Sequence, residues 1–155
     1  MLKQIQRFMG FSLLDKAIVT KATVLLIFIR LGLKFVSLKT LRQQLAKVSL
    51  FSAPDKPLSV YKIIWSITTA SSYMPQVKCL ARGLAAQTLL QQQGYTPILR
   101  IGVTKGANQM FAAHAWVECK GKVVMGGIGN SIRKYRVMPI QEFEQLGEKK
   151  VITSS

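Results

Sequence analysis

The stretch Cys79-Leu-Ala-Arg-Gly-Leu-Ala-Ala-Gln-Thr-Leu-Leu-Gln-Gln-Gln-Gly94 decides the fold, because the pattern of the chain changes at its end. The segment itself is typical of a helix, and Gly94 stands where a left-handed C-terminal cap belongs. Beyond this glycine, short segments rich in β-branched residues alternate with turn signals, which is typical of strands. Helices first and an antiparallel sheet after them is the order of the α+β class.

The residues after Gly94 predict a small sheet. Lys120-Gly121 is the expected two-residue hairpin turn, and it joins two of the strands. The expected strands cover Thr96 to Val103, Met110 to Cys119, Lys122 to Met125 and Arg133 to Val137, and a short helix covers Pro139 to Leu146.

The residues before Cys79 predict a helical N-terminal part. Three helices are expected, from about Leu13 to Lys34, from Leu38 to Val48 and from Leu58 to Ala70. The two prolines of Ser52-Ala-Pro-Asp-Lys-Pro57 mark the clearest break in the chain. We therefore expect one compact domain in which residues 1–52 form a helical part packed on a core of residues 58–155.

The charge balance is strongly basic, since 22 Lys and Arg stand against six Asp and Glu, a formal net charge of +16. Such a surface favours anionic partners. Nucleic acid is not the expected one, because the basic residues are spread from Lys3 to Lys150 and no recognised binding motif is present. An acidic peptide, an acidic protein surface or solvent explains the charge more simply.

A membrane role is confined to the surface of a bilayer. The apolar run from Ala22 to Ile29 is flanked by Lys21 and Arg30, and it is far shorter than the roughly 20 apolar residues of a spanning helix. A buried or amphipathic helix is the favoured interpretation. Peripheral membrane contact through the basic residues is the alternative.

The two cysteines, Cys79 and Cys119, make neither a disulfide framework nor a zinc site, because one histidine and two scattered thiols lack the paired spacing that zinc needs. They are typical of free thiols in a reducing, cytoplasmic compartment. No cofactor and no metal is expected.

The chemistry of the chain points to Cys79 and to His114, its single histidine. A helix N-terminus and a nearby imidazolium each stabilise a thiolate. Gly83 and Ala86 share the helical face of Cys79, so a sheet can pack closely there and bring an imidazole near. A thiol at a helix start and a later imidazole on a strand are the minimal apparatus of a papain-like or transglutaminase-like enzyme, although a free cysteine is often simply buried.

Strand alternation sorts the neighbours of His114. Trp116 and Glu118 share its face, whereas Cys119 lies on the other face and is expected in the core. Glu118 lies about 13 Å along the strand from His114, at ~3.3 Å per residue, so it cannot orient the imidazole. We interpret it as a surface charge.

The motifs resemble those of the lasso-peptide maturation proteases, members of the transglutaminase-like superfamily. The resemblance rests on Cys79-Leu-Ala-Arg-Gly-Leu-Ala-Ala, Gly94-Tyr-Thr-Pro, Ile101-Gly-Val, His114-Ala-Trp-Val-Glu and Gly121-Lys-Val-Val, in this order. It implies a transglutaminase-like (papain-like) cysteine protease core, and a bacterial peptidase that removes the leader from a ribosomally made precursor. The implied partners are that precursor, a separate leader-recognition protein and a lasso cyclase.

Carried onto this sequence, the resemblance makes Cys79 the nucleophile and His114 the general base and acid. The backbone N–H of Cys79 is the natural oxyanion donor, and Gln76 is a second candidate. In the family an aspartate about a dozen residues after the histidine orients the imidazole, but Gly126 and Gly127 stand there. Asn130 can accept from the ring instead, as can a backbone carbonyl or a water.

Two other functions use the same residues differently. An acyltransferase or transglutaminase would pass the same thioester to an amine, and sequence cannot separate that reaction from hydrolysis. A non-catalytic module would use the basic surface to bind a peptide without cleaving it.

Overall fold

The computed structural model describes residues 10–49, 54–105, 111–127 and 132–150. Its helices are α1 (Leu13–Phe35), α2 (Leu38–Ser49), α3 (Val60–Ser72), α4 (Cys79–Gln92) and α5 (Ile140–Lys150), and its strands are β1 (Ile98–Lys105), β2 (Phe111–Cys119), β3 (Lys122–Met125) and β4 (Arg136–Met138). The predicted α+β class, with helices preceding a small antiparallel sheet, is confirmed.

Serine side chains cap the starts of α1 and α3. The Oγ atom of Ser12 accepts a hydrogen bond from the backbone N–H of Asp15, and Ser59 does the same for Lys62, at 3.1 and 3.2 Å. Each cap satisfies one of the N–H groups that a helix start leaves unpaired. The cap at Ser59 explains why α3 begins at Val60, two residues after the predicted start at Leu58.

The end of α4 has the predicted glycine cap. Gly94 has a φ of +81°, a left-handed conformation that favours glycine. The N–H of Gly94 donates to the carbonyl of Gln91, and the N–H of Tyr95 donates to that of Leu90. These two hydrogen bonds form a Schellman motif, which ends the helix and turns the chain into the sheet.

The four strands form one antiparallel sheet in the order β3-β2-β1-β4. β1 pairs with β2 from Ile98↔Glu118 to Lys105↔Phe111. The hairpin between β2 and β3 turns at Lys120 and Gly121 as predicted, with φ values of +52° and +73°, the signs that a tight two-residue hairpin turn requires. Strand β1 begins two residues later than predicted, and β4 begins three residues later. The predicted start of the second strand, Met110, lies outside the described residues.

The core lies between the sheet and α4, which also contacts α1, α2 and α3. Eight of the 14 residues of α4 are buried, among them Leu84, Ala85, Ala86 and Leu90. The sheet comes close to α4 at Gly83, where an added Cβ would lie 2.8 Å from Cδ1 of Leu99 and 3.7 Å from Cγ2 of Val117. The small residues that follow Cys79 therefore receive the sheet.

None of the helices in the described part of the chain combines the length and the apolarity needed to cross a bilayer. The division into residues 1–52 and 58–155 stays a prediction. Its boundary falls partly in residues 50–53, outside the described ones.

We predict that Gly83→Val destabilises the protein, because the added methyl groups must displace Leu99 and Val117 from the face of α4. Overpacking of this kind costs about 1–3 kcal/mol. The urea midpoint of unfolding measures the loss. The matched control is Gln91→Val, which places the same side chain at an exposed position of the same helix. Equal midpoints for the two variants would contradict the close contact.

Candidate active site

Cys79 is the first residue of α4, and its side chain is half-buried. Lys78, the residue before it, is extended and provides no side-chain cap. As at every helix start, the N–H groups of the first turn, including that of Cys79, have no acceptor within the helix. A helix start with free N–H groups favours negative charge, on the thiol or on a bound oxyanion.

Cys79 and His114 line the same cavity. Its volume is about 370 Å³, and it lies where α3, the start of α4 and the segment after β3 meet. The remaining lining residues are Ile64, Thr68, Arg82, Val124, Met125, Gly126 and Gly127. The structure thus brings together the two residues that the sequence singles out, around a space large enough to admit part of a substrate.

The imidazole of His114 is oriented by a backbone carbonyl. Its Nε2 atom is hydrogen-bonded to the carbonyl oxygen of Gly126. A carbonyl can only accept, so Nε2 carries the proton and donates. In the neutral ring this leaves Nδ1 with a lone pair, which is the state that a general base requires.

Gly126 is required at this position for steric reasons. Its φ is +89°, a conformation that a residue with a side chain rarely adopts. A Cβ there would overlap the carbonyl oxygen of Ala115 and lie 2.8 Å from Cα of Trp116. The close approach of this glycine to β2 brings its carbonyl within reach of His114.

Two aromatic rings lie beside the imidazole. The ring centroid of His114 lies 6.4 Å from that of Trp116 and 5.3 Å from that of Tyr135. The indole N–H of Trp116 donates to Glu118 at 3.1 Å, and Arg100 approaches the same carboxylate at 3.4 Å. Glu118 therefore pairs with Trp116 and Arg100, and within the described residues it has no hydrogen bond to the imidazole.

The sheet packs on α4 through the alternate face of β2. The side chains nearest Gly83 are those of Leu99, Val117 and Ala115, whereas His114 belongs to the set that includes Trp116. The predicted close packing at Gly83 is present, but it does not place the imidazole on the packed face. Within the described residues, no hydrogen bond joins the thiol to the imidazole, and His114 reaches the shared cavity at the edge next to Gly126.

Arg82 is a site residue to which sequence reasoning assigns no role. It lies one helical turn after Cys79, so the two side chains share a face of α4. Its terminal nitrogen lies 3.9 Å from Sδ of Met125, and its buried Nε has no hydrogen-bond partner within the described residues. The arginine was visible in the motif Cys79-Leu-Ala-Arg82, but only the cavity reveals that its charge borders the thiol.

The remaining candidates lie elsewhere. Cys119 is 4% exposed and belongs to the core, as predicted. The side-chain oxygen of Gln76 accepts a hydrogen bond from Arg30, and this residue is not part of the cavity lining. Asn130 lies outside the described residues, so its assignment stays a prediction.

Among the described residues, no carboxylate is hydrogen-bonded to His114. A half-buried thiol at a helix start and an imidazole with a defined tautomer line one cavity, and this arrangement is typical of cysteine enzymes that work through acyl intermediates.

The family comparison agrees with that class. A model of the transglutaminase-like superfamily matches residues 23–139, so the chain belongs to this superfamily. Its members are usually cysteine proteases or transglutaminases. The match includes most of α1, all of α4 and the whole sheet. Searches of curated proteins and of solved structures returned no significant match.

We predict that His114 is the Nε2–H tautomer whenever its ring is neutral, because the Gly126 carbonyl accepts only from a protonated Nε2. The chain has one histidine, so long-range ¹H–¹⁵N correlation spectra in alkaline buffer give one imidazole pattern to interpret. Gly126→Ala should disturb that pattern, whereas Gly121→Ala serves as a control in a turn with open space around it. An Nδ1–H pattern in the unmodified protein would contradict the hydrogen bond.

Proposed function

We propose that this protein is a cysteine peptidase that removes the leader from a ribosomally made lasso-peptide precursor through a thioester on Cys79. The observation that carries the proposal is the shared cavity, which is lined both by a thiol at a helix start and by an imidazole whose Nε2 is already hydrogen-bonded. Membership of the transglutaminase-like superfamily supports the thioester chemistry. The motifs around Cys79 and His114 support the substrate class.

In the acylation step, Nδ1 of His114 takes the proton of the Cys79 thiol, and the thiolate attacks the scissile carbonyl carbon. The tetrahedral oxyanion is stabilised by the N–H groups at the start of α4, with Arg82 adding positive charge to the same cavity. The C–N bond then breaks, the amine leaves with the proton from His114, and a thioester remains.

In the deacylation step, water gives a proton to Nδ1 and attacks the thioester carbonyl. The C–S bond breaks, the carboxylate of the leader is released and Cys79 regains its proton. Thiol and imidazole share no hydrogen bond in the structure. Catalytic hydrogen bonds of this kind are often long without substrate and tighten when it binds.

The partners in this proposal are the precursor peptide, a separate leader-recognition protein and a lasso cyclase, all in the cytoplasm. The cyclase would use the amine that cleavage frees at the start of the core peptide. The net charge of +16 supports an acidic leader or an acidic partner surface, because opposite charge accelerates encounter and fixes orientation.

An acyltransferase is the second candidate function, and the superfamily match favours it as much as hydrolysis. It differs only in the group that attacks the thioester. Product masses in the presence of a primary amine separate the two reactions, because hydrolysis yields a carboxylate and transfer yields an amide. A non-catalytic basic peptide-binding module would give neither product.

We expect Cys79→Ala and His114→Ala each to reduce leader removal by several orders of magnitude, since each variant lacks one partner of the proton transfer. Cys119→Ala should retain the activity, because this thiol lies in the core. The assay is mass spectrometry of a precursor taken from the same gene neighbourhood, with its leader-recognition protein added. Similar rates in all three variants would refute the assignment.

We also expect Cys79 to react with iodoacetamide before Cys119, because it is half-buried at a cavity whereas Cys119 is 4% exposed. Peptide mapping after brief labelling at neutral pH gives the order without any substrate. Each single variant leaves one thiol to label, Cys119 in Cys79→Ala protein and Cys79 in Cys119→Ala protein. Faster labelling of the Cys79→Ala protein would contradict the expected order.

Asn130 is tested by Asn130→Ala in the same cleavage assay. If Asn130 orients the imidazole as proposed from the sequence, the rate falls. An unchanged rate removes Asn130 from the site and leaves the orienting role to the Gly126 carbonyl.

A further inference from the structure

We propose that α1 docks on an anionic phospholipid surface through an apolar stripe on its outer side. The stripe consists of Val24, Ile27, Phe28, Leu31 and Phe35, whose side chains are between 45% and 73% exposed. Positions 24, 28, 31 and 35 recur at helical spacing, so they form one continuous face. Single exposed apolar residues are common on proteins, but a contiguous face marks an interaction surface.

The opposite face of α1 is already occupied. Ala22, Leu26 and Ile29 are fully buried in the core. The helix therefore has two apolar faces, one packed on the protein and one facing outward. The packing of the first face does not account for the second.

Basic residues border the stripe on both sides. Lys21 lies at one border, and Lys16 and Lys34 lie at the other, by their positions around the helix. Lys34 extends its ammonium over the ring of Phe35, 5.6 Å from the centroid. Lysine stems can lie along an apolar surface while their charges reach phosphate headgroups. An apolar stripe between basic borders is the pattern of a helix that lies in a membrane interface.

The helix would lie on the membrane and would not cross it. Crossing would remove Leu26 and Ile29 from the core, where both are fully buried. Two polar contacts also hold α1 to the protein, an ion pair between Asp15 and Lys62 and a hydrogen bond from Arg30 to Gln76. The ion pair lowers the pKa of Asp15, because the Lys62 ammonium favours the carboxylate.

Charge selects the lipid surface over a second copy of the chain. Two copies would bring surfaces of a protein with net charge +16 together, which like-charge repulsion opposes. Binding to an anionic bilayer is favoured by about 1 kcal/mol for each Lys or Arg near the surface. A bilayer can also accommodate apolar side chains of different sizes, because acyl chains adapt their shape.

The test is co-sedimentation of the full-length protein with phosphatidylcholine vesicles, with and without phosphatidylglycerol. We expect binding to the anionic vesicles, weakened by added salt, and much less binding to the neutral ones. Phe28→Gln with Leu31→Gln should lower the affinity about tenfold or more, because two apolar side chains no longer leave water. Lys21→Gln with Lys34→Gln should lower it for anionic vesicles alone.

The matched control is Tyr61→Gln, at a site on α3 that is 78% exposed and outside the stripe, and it should bind like the unmodified protein. Circular dichroism and urea midpoints confirm that each variant is folded. Absence of binding to anionic vesicles, or equal binding by the Phe28 and Leu31 variant, would overturn the proposal. Light scattering detects the alternative occupant. If the unmodified protein were a dimer that did not bind vesicles, and if the Phe28 and Leu31 variant were a monomer, the stripe would belong to an interface between two copies. If polyglutamate captured the protein as well as the anionic vesicles do, charge alone would account for the binding, and this result would also overturn the proposal.

Discussion

The close contact between α4 and the sheet at Gly83 is the constraint on which the rest of the structure depends. A glycine at this point lets Leu99 and Val117 reach the helix itself. Helix α4 also contacts α1, α2 and α3, so neighbours pack on several of its sides. The half-buried thiol at its first residue takes its position from that packing, because a helix with eight of its 14 residues buried cannot shift without disturbing the core.

A second close approach positions the imidazole. Gly126 touches the backbone of β2 at Ala115 and Trp116, and its carbonyl accepts the proton of His114 Nε2. Both halves of the candidate site therefore depend on a glycine that permits a close approach, Gly83 one turn after Cys79 and Gly126 beside His114. The rings of Trp116 and Tyr135 lie beside the imidazole.

Much of this arrangement could be predicted from local signals. The Schellman glycine at Gly94, the hairpin turn at Lys120 and the burial of Cys119 each follow from short-range chemistry that the residues themselves carry. The hydrogen bond to the Gly126 carbonyl could not be predicted, because the direction of a carbonyl depends on a backbone φ of +89°. The place of Arg82 in the cavity could not be predicted for a related reason, since only the folded structure shows that Arg82 and Cys79 line the same space.

The sequence could not predict which face of the sheet meets α4. Small residues after Cys79 predict close packing at α4, and that packing is present at Gly83. The inference that it brings the imidazole near required one further step, the choice between the two faces of β2. Alternation fixes which residues share a face, but it does not say which face meets the helix. Ala115 and Val117 meet it, and His114 enters the cavity beside Gly126.

The replacement of an orienting acid by a carbonyl changes the electrostatics of the proposed mechanism. A carboxylate would compensate the imidazolium with a full negative charge, whereas a carbonyl offers only its dipole. An aspartate cannot simply be restored at Gly126, because its Cβ would overlap the Ala115 carbonyl and crowd Trp116. Among the described residues, the anion that balances the imidazolium in the proposed mechanism is then the Cys79 thiolate. Charge separation in this site therefore depends on how closely substrate binding brings the thiol and the imidazole together.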